Sequence, residues 1–468
     1  MSEKIVINPL TRISGFLQIE VQVEKNVIID AKSSGMMFRG FEKMLKGRSP
    51  LDATYFTERI CGICSTAHAI ASTMALENAL EIKISNEDRM IRDFMHGSEF
   101  LQNHLRHFYQ FTLPDYIKDP FSKDSLNSEA KMDYRLPKPI EEKLAEHYIK
   151  SLEFSRKSHQ MLAILGGKAP HSHGIFTGGV TVNLDSSKYI ELKSILFDIK
   201  AFITDIMIPD VYIISKYYSE YFSNGAGYNN LMSYGVFDHY DDKDIFFVGP
   251  GVSINNFKFD FNPEYISEGV YHSWYMKNKD NDLEVVEDVD LDNKNGYSFI
   301  KTPRYAGYAM EVGPLARMIL GGLYDGGIST MDRTIARVLE TEKIACILQG
   351  LLEKIKPINN ALPRYEFNKP LKSKGLIDTT RGTLGHWISI DEQKIKNYSV
   401  ISPSTWNLSP KDQNGVYGVV EKALIGTYIN DVKNPIEIGR IVRSFDPCVS
   451  CATHVVSDRF SPFDVRIN

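Results

Sequence analysis

The stretch Asp446-Pro447-Cys448-Val449-Ser450-Cys451-Ala452-Thr453-His454, close to the end of a 468-residue chain, holds two of its five cysteines. A Cys-x-x-Cys turn brings two sulfurs close enough to hold one metal ion or to form a disulfide, but two thiolates leave a metal half-coordinated. A second pair is therefore expected. It stands near the other end, in Arg59-Ile60-Cys61-Gly62-Ile63-Cys64-Ser65-Thr66-Ala67-His68, and each pair is followed by a histidine. The reading is one four-thiolate metal site clamped by the two ends of the chain.

Working outward, a hydrophobic fraction of 43% over this length gives a globular chain with a large core, as one domain or two intimately packed ones. A net charge of -5, with no dense Lys/Arg patch among aromatics, excludes a nucleic-acid footprint. No run of about 18 apolar residues occurs, and Met1-Ser2-Glu3-Lys4 leads into no signal-peptide core. A soluble chain without a membrane span of its own is expected, cytoplasmic or carried to export or a membrane by a partner. Five cysteines are too few for a disulfide framework. Cys346, in an apolar helical stretch, is expected to be a buried structural thiol.

Alternation from Phe16 to Ala31 around Lys25-Asn26 predicts a β-hairpin. Ser65 is positioned to cap a helix running through Leu80, with His68 one turn from Cys64 on the same face. Helical periodicity recurs over 87–113, 140–165, 186–222 and 333–355, with a further helix near 416–425. Strand-like runs fall at 375–390 and 398–402. The Gly-rich loop 166–179 lacks phosphate-loop spacing, and 241–301 is read as a peripheral strand-and-loop excursion. The expected fold is mainly α with smaller β elements (α+β), a long-helix bundle core with peripheral hairpins.

Bare spacing leaves structural zinc, an iron-sulfur cluster and a soft catalytic metal all open, because thiolates suit each. The flanks add a resemblance. Arg-x-Cys-Gly-x-Cys-x-x-x-His with Asp-Pro-Cys-x-x-Cys-x-x-His resembles the large subunit of nickel-iron hydrogenases. So do Phe38-Arg39-Gly40-Phe41-Glu42, His107-Phe108-Tyr109, Pro170-His171 with Gly178-Gly179-Val180, Pro303-Arg304-Tyr305, Glu311-Val312-Gly313-Pro314-Leu315-Ala316-Arg317, Arg381-Gly382-Thr383-Leu384-Gly385-His386-Trp387 and Pro403-Ser404-Thr405-Trp406-Asn407. Essentially the whole chain is covered.

The resemblance implies nickel held by four cysteines, with Cys61 and Cys448 terminal and Cys64 and Cys451 bridging to an iron that carries carbon monoxide and cyanide. Dihydrogen would then be split heterolytically, Cys448 taking the proton. Arg381 matches the arginine over the centre, Asp446 its ion-pair partner, Ser404 a hydroxyl donor to a cyanide, and His68 a histidine bonded to a bridging thiolate. His104 belongs to the stretch beside that arginine. Glu42, the Val400 carbonyl and His454 match the ligands of a magnesium. An iron-sulfur small subunit is the implied partner, in a heterodimer or larger assembly, since no cysteines remain here for an electron path. Residues 1–454 would be a single domain, and 455–468 a tail removed by a maturation endopeptidase at His454-Val455.

Two departures from the family pattern bear on protons. Ser14 stands where the family has a glutamate, and Asn103 where it has an aspartate; Thr380 also replaces a usual proline before Arg381. A serine can hold a water chain but stores no proton near neutral pH. The expected function is the catalytic subunit of a nickel-iron hydrogenase running in the uptake direction. The competing readings are a regulatory hydrogen sensor, which the changed proton groups favour and the C-terminal tail opposes, and a structural zinc protein, which metal analysis would expose.

Overall fold

The frame is made by the helices Ser65–Leu80, Asn86–Arg106, Lys138–Gly166, Ser186–Phe202 and Thr330–Lys354. The computed structural model describes residues 2–118, 133–276, 283, 288–356 and 363–452. Each of these helices has a local reason to start or stop. Ser85 and Asp185 accept the backbone N–H of Asp88 and Lys188, and Ser329 with Asp332 forms a reciprocal capping box. Gly167 ends Lys138–Gly166 in the left-handed conformation at φ 78. The helices bury Phe94, Leu101, Leu162, Ile199 and Leu348 in one core, at about 1.5–3 kcal/mol for each large apolar side chain. Asn86–Arg106 and Thr330–Lys354 approach so closely at Gly97 that a Cβ there would lie 2.4 Å from Leu348 Cδ2. No described helix is long and apolar enough to cross a membrane.

The N-terminal hairpin forms as expected. Leu17–Glu24 pairs with Val27–Gly35 around Lys25 and Asn26, both at positive φ, as a two-residue hairpin turn requires. Alternate residues Leu17, Ile19, Val21 and Val23 face a second core with Val420, Leu424 and Ile441. The strand Glu3–Ile7 completes this sheet; it was not anticipated, because its residues are mostly exposed and carry little pattern.

The structure corrects several local expectations. Cys64, not Ser65, is the N-cap of Ser65–Leu80. The stretch read as one helix over 186–222 is interrupted by a wide turn at Ile203–Met207 and resumes as Ile208–Tyr217, since Pro209 has no N–H to continue the ladder. The excursion at 241–301 is only partly peripheral: Val248–Ile254 pairs with Asn230–Val236, and Phe299, Ile300 and Lys301 are buried. Phe247, Tyr275 and Phe299 pack inward, while Phe257, Phe259 and Tyr265 stay exposed. Cys346 is half-buried rather than buried. A further helix, Ile436–Ser444, leads into the second cysteine pair.

The strand-like runs become an antiparallel meander, Leu371–Thr379, Gly382–Asp391 and Lys394–Ile401. Thr379 faces Gly382, so Thr380 and Arg381 form the tip of its first hairpin. Gly382 has φ 128, and a Cβ there would lie 2.7 Å from Gly313 N, which only glycine avoids. The meander thereby presents Arg381 to the interior.

Candidate metal centre

The two ends of the chain meet. The Sγ atoms of Cys61, Cys64, Cys448 and Cys451 lie within 4.8 Å of one another, all four residues are buried, and all are free thiols. Cys61 and Cys448 are 3.6 Å apart, Cys64 and Cys451 3.2 Å, and Cys448 and Cys451 3.0 Å.

The first pair rests on a helix start. Cys61 is extended after the turn Glu58–Ile60, and its sulfur accepts the Ile63 N–H at 3.3 Å. The first-turn N–H groups of Ser65–Leu80 are taken up by Glu99, which accepts from Thr66 at 2.8 Å and Ala67 at 3.2 Å. Burial is the largest influence on this carboxyl and pushes it up to about 7 despite those bonds.

The second pair is held by remote segments. Ser14 brackets Cys448 in a short parallel bridge, donating to Pro447 O at 3.1 Å and accepting from Val449 N at 2.7 Å. Ser404 Oγ accepts the Cys448 N–H at 3.0 Å. Arg39 Nη2 donates to the carbonyls of both Ile60 and Ser450, so one guanidinium ties the two motifs together.

Over the sulfurs lies a polar lid. Arg381 donates from Nε to Asp446 O at 2.9 Å, and from Nη2 to Asn103 Oδ1 at 2.8 Å and Asp446 Oδ1 at 3.2 Å. Asn103 Nδ2 donates to Asp446 Oδ2 at 2.7 Å. Burial alone would raise the Asp446 carboxyl, but Arg381, His107 and Arg337 outweigh it and hold it far below the usual carboxylate range. Burial opposes the charge on Arg381, yet Asp446 and the thiolates keep it protonated. Among the thiols, contacts from Cys451, Cys61 and Cys64, with Arg381 nearby, pull Cys448 down, whereas Cys64 and Cys451 are pushed up.

Other expected site residues are placed as follows. His68 Nδ1 lies 3.0 Å from His386 Nε2, and His386 Nδ1 lies 2.7 Å from the Tyr398 hydroxyl; among the described residues the His68 hydrogen bond is to this ring and not to a sulfur. Burial pushes His68 down to about 3, so it is neutral. His104 Nε2 is 2.8 Å from Glu340, which is gripped by Arg317 through two bonds and, against the effect of burial, brought down to about 2. Glu42 Oε1 accepts the N–H of Val400 at 2.8 Å, and Lys301 Nζ lies 4.0 Å from its Oε2 and 3.1 Å from Glu268. His454 and Val455 lie outside the described residues. Sequence reasoning missed Glu99 and Glu340 altogether. For Glu99 a signal existed: Glu99, Asn103 and His107 recur every four residues as a buried polar stripe on one helix face.

Four soft sulfurs at this spacing suit nickel with a thiolate-bridged second metal. Arg381 Nη1 is buried without a hydrogen-bond partner among the described residues, a donor left for something bound at the cage. A purely structural zinc would have no use for it.

Comparison with known proteins agrees. A family model described as nickel-dependent hydrogenase matches residues 39–132, 120–326 and 323–454. The chain is 34% identical to the periplasmic NiFeSe hydrogenase large subunit of Desulfomicrobium baculatum, over 97% of this chain and 95% of that one. It is 31% identical to the uptake hydrogenase large subunit of Bradyrhizobium diazoefficiens, over 97% and 96%. A solved structure of the H2-activated NiFeSe hydrogenase of Dm. baculatum superposes with a TM-score of 0.92 at 34% identity, covering 97% of this chain and 100% of that one. A thiolate cage closed by the two ends of the chain, on a fold shared along nearly its whole length, therefore has a known setting: the chain belongs to the nickel-dependent hydrogenase family, as a catalytic large subunit that cleaves dihydrogen.

Proposed function

We propose that Cys61 and Cys448 are terminal nickel ligands, that Cys64 and Cys451 bridge nickel to an iron carrying carbon monoxide and cyanide, and that the enzyme works in the uptake direction. When bound, the metal pair supplies the Lewis acidity and redox change that split dihydrogen heterolytically. The chain's own residues bind and orient. The orphaned Nη1 of Arg381 carries this reading: it is a buried, charged donor fixed by Asp446 and Asn103 with one nitrogen to spare. Ser404, whose oxygen accepts the Cys448 N–H, has its hydroxyl proton available for a cyanide nitrogen.

Cys448, held as a terminal ligand, would keep sulfur lone pairs free to take up the proton beside the metals. Ser14, bracketing Cys448 through its backbone, passes that proton to water without storing it. His68, neutral and paired with His386, holds the floor of the site in place.

Glu42 and Val400 are adjacent, and with His454 they are the proposed magnesium ligands, with Lys301 and Glu268 beside them. Electrons leave through an iron-sulfur small subunit, which would also carry the chain to any membrane or exported location. An endopeptidase cutting His454-Val455 would complete maturation, leaving 1–454 as one domain. The sensor reading is not favoured, since the relatives are catalytic subunits. Infrared spectroscopy of the anaerobically purified complex tests the proposal: bands from one carbon monoxide and from cyanide are expected, and their absence from a nickel-containing preparation would overturn it.

A further inference from the structure

Arg381 is not the only guanidinium at the lid. Arg106, at the end of Asn86–Arg106, donates from Nη2 to Asn103 Oδ1 at 3.0 Å, the same oxygen that accepts Arg381 Nη2 at 2.8 Å. One amide thus holds two arginines through its oxygen and Asp446 through its nitrogen, at 2.7 Å. The guanidinium of Arg106 lies 5.7 Å from the Phe111 ring centroid, and its buried Nε has no hydrogen-bond partner among the described residues. The Phe111 carbonyl accepts Arg12 Nη1 at 2.8 Å.

Two like charges bridged by a neutral amide repel, and a mostly buried guanidinium needs a counter-charge. Among the described residues no carboxylate forms an ion pair with Arg106. Burial and Arg381 both weigh against its charge; the groups that favour it are Asp446, already engaged with Arg381, and the sulfurs of Cys61 and Cys448. Its counter-charge is therefore shared: Asp446, joined to Arg106 through Asn103, together with the sulfurs of Cys61 and Cys448.

We infer that Arg106 is a second positioning guanidinium of the hydrogen-splitting centre: it shares Asn103 with Arg381, fixes the fork of that arginine, and sets a permanent positive charge beside the terminal thiolates. The inference rests on the assignment of Arg381 and the four cysteines given above. A fixed positive charge next to an electron-rich metal-thiolate group favours its reduced state and draws electron density from it.

The test uses Arg106→Gln and Arg106→Lys in the complete large and small subunit complex, with redox titration followed by infrared spectroscopy. Arg106→Gln is expected to keep its nickel, to shift the nickel couple to lower potential and to move the cyanide bands to lower wavenumber; Arg106→Lys, which keeps the charge, should stay near the parent. A glutamine variant with parent potential and bands would overturn the inference, as would equal shifts in both variants, since a merely structural role moves both alike. Missing carbon monoxide and cyanide bands in the parent would instead sink the assignment of the centre.

Discussion

Cys64 is held by its own helix, whereas Cys448 is held by segments remote in the chain, from 44 residues away at Ser404 to the N-terminal Ser14. The first pair needs a turn, a helix start and the acceptor Glu99 from the next helix. The second sits on a four-residue helical turn, Val449–Ala452, after Asp446, which has the positive φ of 51 that few residues tolerate. Ser14, Arg39, Arg381 and Ser404 all converge to hold it. One half of the cage is specified locally and the other by tertiary contacts. The charge is as uneven: the lid of arginines and Asp446 belongs to the second half.

Substitutions can break or sharpen this contrast. The largest effect is expected for Cys448→Ser, which replaces a soft thiolate with a hard hydroxyl; nickel content and hydrogen uptake should fall below detection. Asp446→Ala should come next. It leaves Arg381 buried without its carboxylate, at a cost of about 3–5 kcal/mol, read as a lower denaturation midpoint together with loss of metal. If the midpoint is unmoved, the second pair is not held in the way described.

Arg381→Lys should keep both fold and nickel, because a positive charge still faces Asp446. It loses the planar fork and the spare nitrogen, so turnover is expected to fall on the order of 10²-fold, measured as hydrogen uptake at saturating acceptor. The smallest effect is expected on the locally built side, for Glu99→Gln. The folded-state value of Glu99 is raised from 4.5 to about 7, so its favourable contribution is fully present below pH 4.5 and is lost as pH rises through 7. Denaturation midpoints of Glu99→Gln should lack that fall between pH 4.5 and 7, while losing about 1 kcal/mol of capping at low pH.

The same contrast explains what was legible. The helices, the N-terminal hairpin and the cysteine pairs announce themselves by period and spacing, and the Arg381–Asp446 pair follows from the family resemblance. Glu340 and the clasp of Arg39 on Ile60 and Ser450 do not, because their partners lie on other elements and no local pattern points to them. Ile436–Ser444 is too short, and too rich in charged residues that turn out buried, to stand out from its surroundings. Glu42 was read as a cation ligand beside Val400, and the two are indeed adjacent, but through the Val400 N–H and with Lys301 close by.

The central claim is that both ends of the chain close one nickel-iron thiolate cage. X-ray absorption at the nickel edge of the purified complex tests it most directly. The expected result is a nickel shell dominated by sulfur with an iron neighbour, lost in Cys448→Ser; a shell of nitrogen and oxygen, or zinc in place of nickel, would contradict it.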